Sequence, residues 1–153
     1  MANIVFNIAK GRVVEYYNRV KSNDPANSAL ILVPIETSGL EADSTLIDVD
    51  TLAALVAGTT NEQTTMGRKT LTDSDLASLP APDDTNDRYE VSLPTVTWTA
   101  ASGNAISKIA VCYDSDTTGG TDSNIIPLTM FDFAQTPSGA DIQMTTGVFF
   151  RAS

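Results

Sequence analysis

The chain of 153 residues has no histidine and a single cysteine, Cys112. The absence of histidine excludes His-containing catalytic triads, His-assisted thiol chemistry and zinc sites with His ligands. One cysteine excludes an intrachain disulfide. Because Cys112 lies within the apolar run 109–113, IAVCY, we expect it to be a buried small hydrophobic side chain rather than a nucleophile.

Basic residues are also scarce, since 9 Lys and Arg stand against 19 Asp and Glu and the net charge is −10. Such a surface repels phosphate backbones, so a nucleic-acid partner is not expected. The bases are unevenly distributed, because residues 1–21 contain Lys10, Arg12, Arg19 and Lys21 but only one acid. This distribution is either chance along a β surface or the mark of an N-terminal segment that contacts an acidic partner, such as a neighbouring copy.

Long apolar runs are missing from the chain. The longest, such as residues 29–35 (ALILVPI), are far too short to span a bilayer. The first residues lack the basic start and the long apolar core of a signal peptide. We therefore expect a soluble protein that is made in a cytoplasm and has no membrane partner.

The composition favours strands and turns, because Thr and Asp are abundant whereas the good helix formers Lys and Glu are scarce. Short apolar or alternating runs recur throughout and are separated by turn residues. Strands are predicted at residues 4–9, 12–20, 29–35, 66–72, 88–93, 96–98, 106–113, 125–133, 141–145 and 148–151. The pattern predicts a mainly β domain over residues 1–153, an antiparallel β-sandwich or barrel.

One short helix is predicted at about residues 50–57, where Asp48 or Asp50 can cap the run LAALVA and Gly58 can end it. Residues 73–87 contain two prolines and five acids, and they predict an exposed acidic excursion. We do not read residues 73–87 as a domain boundary, because too little chain lies on either side for two cores.

The stretch DSDTTGGTDS, residues 114–123, is the strongest candidate for a metal site. Asp114, Asp116 and Asp122 could supply oxygen ligands for Ca²⁺ or Mg²⁺. However, Thr118 and Ile125 occupy EF-hand positions that need an oxygen ligand and a glutamate, and no helices are predicted on either side. The pattern is more typical of a Gly-rich turn between strands, so no metal and no cofactor are expected.

Catalytic motifs are not found in the sequence. There is no Gly-x-Ser-x-Gly and no phosphate-binding loop. The paired carboxylates Asp73/Asp75 and Asp83/Asp84 lie among polar residues, whereas a general acid needs an apolar setting that raises its pKa. The sequence therefore predicts a protein that is not an enzyme.

The N-terminal segment has the composition of a protein interface. In the predicted strand 12–20, the adjacent residues Tyr16 and Tyr17 would face opposite sides, so one tyrosine would point outward. An outward tyrosine flanked by arginines is typical of an interface anchor. Two half-buried strand tyrosines remain the alternative. The candidate interface residues are Lys10, Arg12, Tyr16, Tyr17, Arg19 and Lys21.

Five segments spread along the chain carry a resemblance to a known group of proteins. They are NIVFNIAKGRV (3–13), NEQTTMGRK (61–69), TWTAASGNAISK (97–108), CYDSDTTGGTD (112–122) and FFRAS (149–153). Together they resemble small virion structural proteins of tailed bacteriophages, especially phages of actinobacteria. The resemblance runs from end to end and contains no catalytic signature.

This resemblance implies a capsid decoration (cement) protein on the surface of the virion, synthesised in the host cytoplasm. Its partners would be the major capsid protein and further copies of itself, a trimer being favoured. The basic segment from Asn3 to Lys21, a possible strand or arm, would face the shell and could add to a sheet edge of a neighbour.

Other functions remain open from the sequence. Within the virion, a tail or head–tail joining role is the nearest alternative. A calcium-assisted carbohydrate-binding adhesin would use Trp98 or the Asp114 loop. A hydrolase ranks last, because the sequence offers no matched acid–base pair.

Overall fold

Nine strands and four short α-helices form the framework of the computed structural model, which describes residues 4–79 and 82–152. The strands are β1 (Ile4–Val5), β2 (Ala29–Glu36), β3 (Lys69–Leu71), β4 (Tyr89–Leu93), β5 (Val96–Trp98), β6 (Ile106–Asp114), β7 (Ile126–Gln135), β8 (Ile142–Met144) and β9 (Gly147–Ala152). The helices are α1 (Val13–Lys21), α2 (Asp43–Leu46), α3 (Leu52–Leu55) and α4 (Asp73–Leu76). The expected mainly β fold is confirmed, and its strands pair antiparallel throughout the described residues.

A five-stranded sheet in the order β1-β7-β6-β2-β3 forms the centre of the molecule. Strand β6 is its middle strand, pairing with β2 on one side and β7 on the other. The remaining strands form two smaller sheets, β4 with β9 and β5 with β8. The architecture is sandwich-like, because these smaller sheets pack against one face of the central sheet.

Both faces of the central sheet are covered, and every residue of β6 is buried. One face packs Leu32 and Val111 against α1 and against the strands β4, β5 and β8. The opposite face packs Val33 and Ala110 against Leu46, Leu52 and Leu55 of α2 and α3. Burial on both faces explains why β2 and β6 are nearly continuous apolar runs instead of alternating apolar and polar residues.

The strand predicted at residues 12–20 is wrong, because Val13–Lys21 form the helix α1. Its buried residues are Val13, Tyr16, Tyr17 and Val20, which recur at the three- and four-residue spacing of one helical face. The abundance of Val and Tyr favours strand by propensity, but this spacing buries all four side chains only in a helix. Both tyrosines therefore face the core, and the expected outward tyrosine is also wrong.

The described part of the N-terminal segment is built into the fold. Ile4 and Val5 pair with β7, and Phe6 is fully buried. The predicted strand 4–9 ends at Val5, because Asn7–Ala9 form a 3₁₀ turn that leads into α1. An extended arm is thus not seen for residues 4–21, and residues 1–3 lie outside the described residues.

The predicted helix near residues 50–57 is confirmed as α3. Its cap is Thr51 and not Asp48 or Asp50, since Thr51 Oγ1 accepts a hydrogen bond from the Ala54 N–H at 3.1 Å. In the acidic segment 73–87, α4 begins at a capping box between Thr72 and Asp75. No helix in the described residues is long and apolar enough to cross a bilayer.

In the segment that packs on the α2 and α3 side of the central sheet, the backbone of Gly39 lies close to the backbone of Thr59. Gly39 has a left-handed φ of +80°, and a Cβ added there would lie 2.2 Å from the carbonyl oxygen of Thr59. Gly139 has a similar φ of +87°, but an added Cβ would meet nothing within 4 Å. Alanine substitutions at these two positions therefore separate the cost of a left-handed backbone from the cost of crowding.

We expect Gly39→Ala to lower the free energy of unfolding by about 1–3 kcal/mol more than Gly139→Ala, because the backbone oxygen of Thr59 cannot rotate away. Gly139→Ala should cost only about 1–2 kcal/mol, the ordinary penalty of a left-handed alanine. Urea unfolding of both variants measures the difference. Equal losses would contradict the crowding at Gly39.

Candidate functional site

The exposed side of α1 carries the basic residues that the sequence singles out. Arg12 and Arg19 are 48% and 46% exposed, and both pair with Glu15 between them, at 3.1 and 3.0 Å. The hydrogen bond from Arg12 lowers the pKa of the Glu15 carboxyl. Two arginines therefore share one acid. The outer side of α1 keeps a net positive charge, although the molecule as a whole is acidic.

The two tyrosines of α1 lie on the core-facing side of the helix, beneath the charged residues. Tyr16 stacks on Tyr113 of β6 with ring centroids 4.6 Å apart, and the Arg12 guanidinium lies 4.5 Å from the Tyr16 centroid. Tyr17 is fully buried, and burial raises the pKa of its hydroxyl to about 12. The tyrosines anchor α1 to the central sheet, which leaves the arginines to face outward.

The six candidate interface residues thus have different positions. Lys10, Arg12 and Arg19 are accessible or half accessible at the start and along the outer side of α1. Lys21 is partly buried, and its Nζ donates to the carbonyl oxygen of Leu79 at 2.7 Å. Only the first three are available to contact a partner through charge.

The aspartates of the DSDTTGGTDS loop do not come together. Asp114 ends β6 and accepts a hydrogen bond from the backbone of Asp116, whereas Asp116 accepts from the Thr118 backbone and hydroxyl. Asp122 belongs to a separate 3₁₀ turn, Asp122–Asn124. Within residues 4–79 and 82–152, no group of three His, Cys, Asp or Glu side chains could hold a metal ion.

Asp122 instead belongs to a charged clip that sequence reasoning missed. Arg68 donates to Asp122 from Nη1 at 2.7 Å and from Nη2 at 2.8 Å. The same guanidinium donates to Glu62 at 2.7 and 2.6 Å. The hydrogen bonds from Arg68 lower the pKa of Asp122. The clip joins the segment before β3 to the loop before β7, so Asp122 at the end of the loop is held by ion pairs.

Trp98 is not a surface platform for a sugar in this structure. The side chain is 1% exposed, and its Nε1 donates to the carbonyl oxygen of Gly67 at 3.0 Å. Its ring packs near Phe133. Cys112 is likewise buried, as the sequence predicted, and burial raises the pKa of its thiol.

A small apolar cleft lies beside β9, and sequence reasoning did not find it. Its volume is about 170 Å³, and its lining includes Leu93, Phe131, Met144 and Phe149. Val148 stands at this cleft with 48% of its surface exposed. The largely apolar run GVFFRA near the C-terminal end was the available sequence signal for the cleft. It was not sufficient, because the other apolar lining residues come from three other strands.

A third feature that sequence reasoning missed is a charged group inside the fold. Lys108 lies in the middle of β6, and its side chain is 0% exposed. Its Nζ lies 3.0 Å from Asp132 Oδ1 and 3.2 Å from Asp43 Oδ1. The available signal was a lysine within the largely apolar strand ISKIAVCYD.

Comparison of the chain with protein-family models, with curated proteins and with solved structures gave no match.

The Arg68 clip predicts a specific dependence of stability on acid. Because Asp122 has a lower pKa in the folded state than in the unfolded state, its contribution is present above the unfolded value, about 3.9. That contribution is lost as pH falls through the still lower folded value. Arg68→Gln should lower the unfolding free energy by about 1–2 kcal/mol at pH 7, discounted for partial exposure, and flatten the acid dependence.

Guanidinium unfolding between pH 7 and pH 3 measures this effect. Arg151→Gln is the matched control, because Arg151 pairs with Glu90 but is 55% exposed. The control should change stability by less than about 0.5 kcal/mol and keep the wild-type acid dependence. An unchanged acid dependence in Arg68→Gln would contradict the role of the clip.

Proposed function

We propose that this protein is a non-enzymatic structural protein of a bacteriophage virion, a capsid decoration protein that assembles on the head shell and stabilises it. The observation that carries the proposal is the resemblance of the five segments between residues 3 and 153, which extends over the whole chain. The proposed location is the capsid surface, and the proposed partners are the major capsid protein and further copies of this chain.

The chemistry of the chain supports a role in assembly. It has no histidine, and its single thiol is buried. Of the paired carboxylates Asp73 and Asp75, the latter serves local structure, since it completes the capping box of α4. Asp122 is bound by Arg68. These side chains are committed to holding the fold, which suits a protein that acts by binding.

Shell stabilisation in this proposal is thermodynamic. A protein that binds the mature shell and not its alternatives stabilises that shell by mass action. Contacts repeated at each symmetry axis add buried area without any chemical step. The positive side of α1, with Lys10, Arg12 and Arg19, is the proposed shell-facing surface, because it is the part of this acidic chain best suited to an acidic partner.

The first test is the copy number of this protein on purified particles of the parent phage, relative to the major shell subunit. We expect a copy number comparable with that of the shell subunit, measured by quantitative mass spectrometry. A handful of copies would instead indicate a connector or tail position. Complete absence from particles would overturn the virion assignment.

A second test concerns the surface of α1. The triple variant Lys10→Gln/Arg12→Gln/Arg19→Gln should bind undecorated shells about tenfold or more weakly than the wild type at low salt, and the difference should shrink as salt rises. Arg151→Gln is the control, since it removes an exposed arginine outside α1. Far-UV circular dichroism checks that α1 is retained. Equal loss of binding in both variants would contradict an α1 interface.

A further inference from the structure

The buried lysine of β6 is placed where a bond-forming reaction can take place. Lys108 and Asp132 are direct cross-strand partners in the antiparallel pairing of β6 with β7. Their Nζ and Oδ1 atoms are 3.0 Å apart. The backbone ladder fixes this pair, so the amine and the carboxyl group are held together at a high effective concentration.

A second carboxylate completes the arrangement. Asp43 lies in the first turn of α2 on the face of the sheet opposite α1, and its Oδ1 and Oδ2 are 3.2 and 3.5 Å from Lys108 Nζ. Asp43 Oδ1 is shielded from solvent, and its contact with the lysine is an ion pair without hydrogen-bond geometry. One amine therefore faces two carboxyl groups from different elements.

We propose that Lys108 and Asp132 condense into an intrachain isopeptide bond, with Asp43 carrying the proton. This inference stands on the geometry of these three residues and is independent of the proposed virion function. The product would be an amide between Lys108 Nζ and Asp132 Cγ that links the strands β6 and β7 covalently.

The reaction balances without any further reactant. Asp43 carries one proton from the Lys108 ammonium to the Asp132 carboxylate, and the neutral amine that results attacks Cγ of the neutral Asp132 carboxyl group. The C–N bond forms, Asp43 carries the second proton of the attached nitrogen to the departing hydroxyl, and the C–O bond breaks. One water molecule leaves, the ammonium and one carboxylate disappear together, and the net charge of the protein is unchanged.

Burial favours this outcome over a persistent ion pair. The Lys108 ammonium is fully buried and loses hydration that its attraction to Asp43 and Asp132, which are 27% and 34% exposed, only partly replaces. A neutral amide removes the ammonium charge from the interior. Asp132 also lines the cleft beside β9, which gives the released water a path to solvent.

The bond would act on the fold as a disulfide does, in a chain that has a single cysteine. It would close the loop between Lys108 and Asp132, which are 24 positions apart, and so restrict the unfolded chain. The closed loop contains the DSDTTGGTDS stretch. The covalent link would keep this loop closed even in denaturant.

Peptide mapping of the purified protein tests the proposal. Trypsin does not cleave after an acylated lysine, so residues 89–151 should remain one peptide, lighter than its sequence mass by one water molecule. Chymotrypsin should then yield a branched product that joins residues 99–113 to residues 132–133. Separate tryptic peptides 89–108 and 109–151 at full mass would overturn the proposal.

Three variants assign the roles. Lys108→Arg keeps the charge but cannot condense, and Asp132→Ala removes the acceptor, so both should give products without a cross-link. Asp43→Asn keeps the shape but cannot carry the proton, and it should form the bond at least tenfold more slowly. A branch at Asp43, or wild-type cross-linking in Asp43→Asn, would overturn the assigned roles. The wild-type map decides the bond itself even if a variant fails to fold.

Discussion

The burial of β6 on both faces is the constraint on which the rest of the structure depends. An antiparallel sheet usually leaves one face in water, but every residue of this middle strand is buried. The chain therefore needs two covering layers. The smaller sheets and α1 supply one, and the segment with α2 and α3 supplies the other. Short helices and strands suffice, because each only has to cover part of the central sheet.

Two-sided burial also explains the polar contacts inside the fold. A charged or amide group that enters such an interior is stabilised by partners, because an unpaired one loses its hydration without compensation. Gln63 is 1% exposed and bonds the Asn104 carbonyl and the backbone of Thr65. Lys108 meets the same requirement with two carboxylates. The covering layers are thus tied to the sheet by polar contacts as well as by packing.

Sequence patterns predicted the central strands well and α1 poorly. The runs that became β2 and β6 are long enough and apolar enough to indicate buried strands without tertiary information. In residues 13–20, the β propensity of the residues favours a strand, whereas the spacing of the apolar residues favours a helix. The spacing is the better guide, because the apolar side of the helix packs into the core. The loop at residues 114–123 was correctly favoured as a turn. Its Asp122 could not be assigned, because its partner Arg68 is 54 positions away.

By itself the sequence determined the class of the fold, the acidic surface and the absence of disulfide and histidine chemistry, because these follow from composition and local pattern. Tertiary structure alone decided which charges are exposed and which are enclosed. Arg12 and Lys108 are both basic residues followed directly by apolar ones, yet one faces solvent and the other is fully buried. The difference arises because helix α1 covers one face of the sheet with its apolar side, whereas Lys108 lies in the strand that both layers cover. Such placement depends on contacts between distant segments, which no local pattern contains.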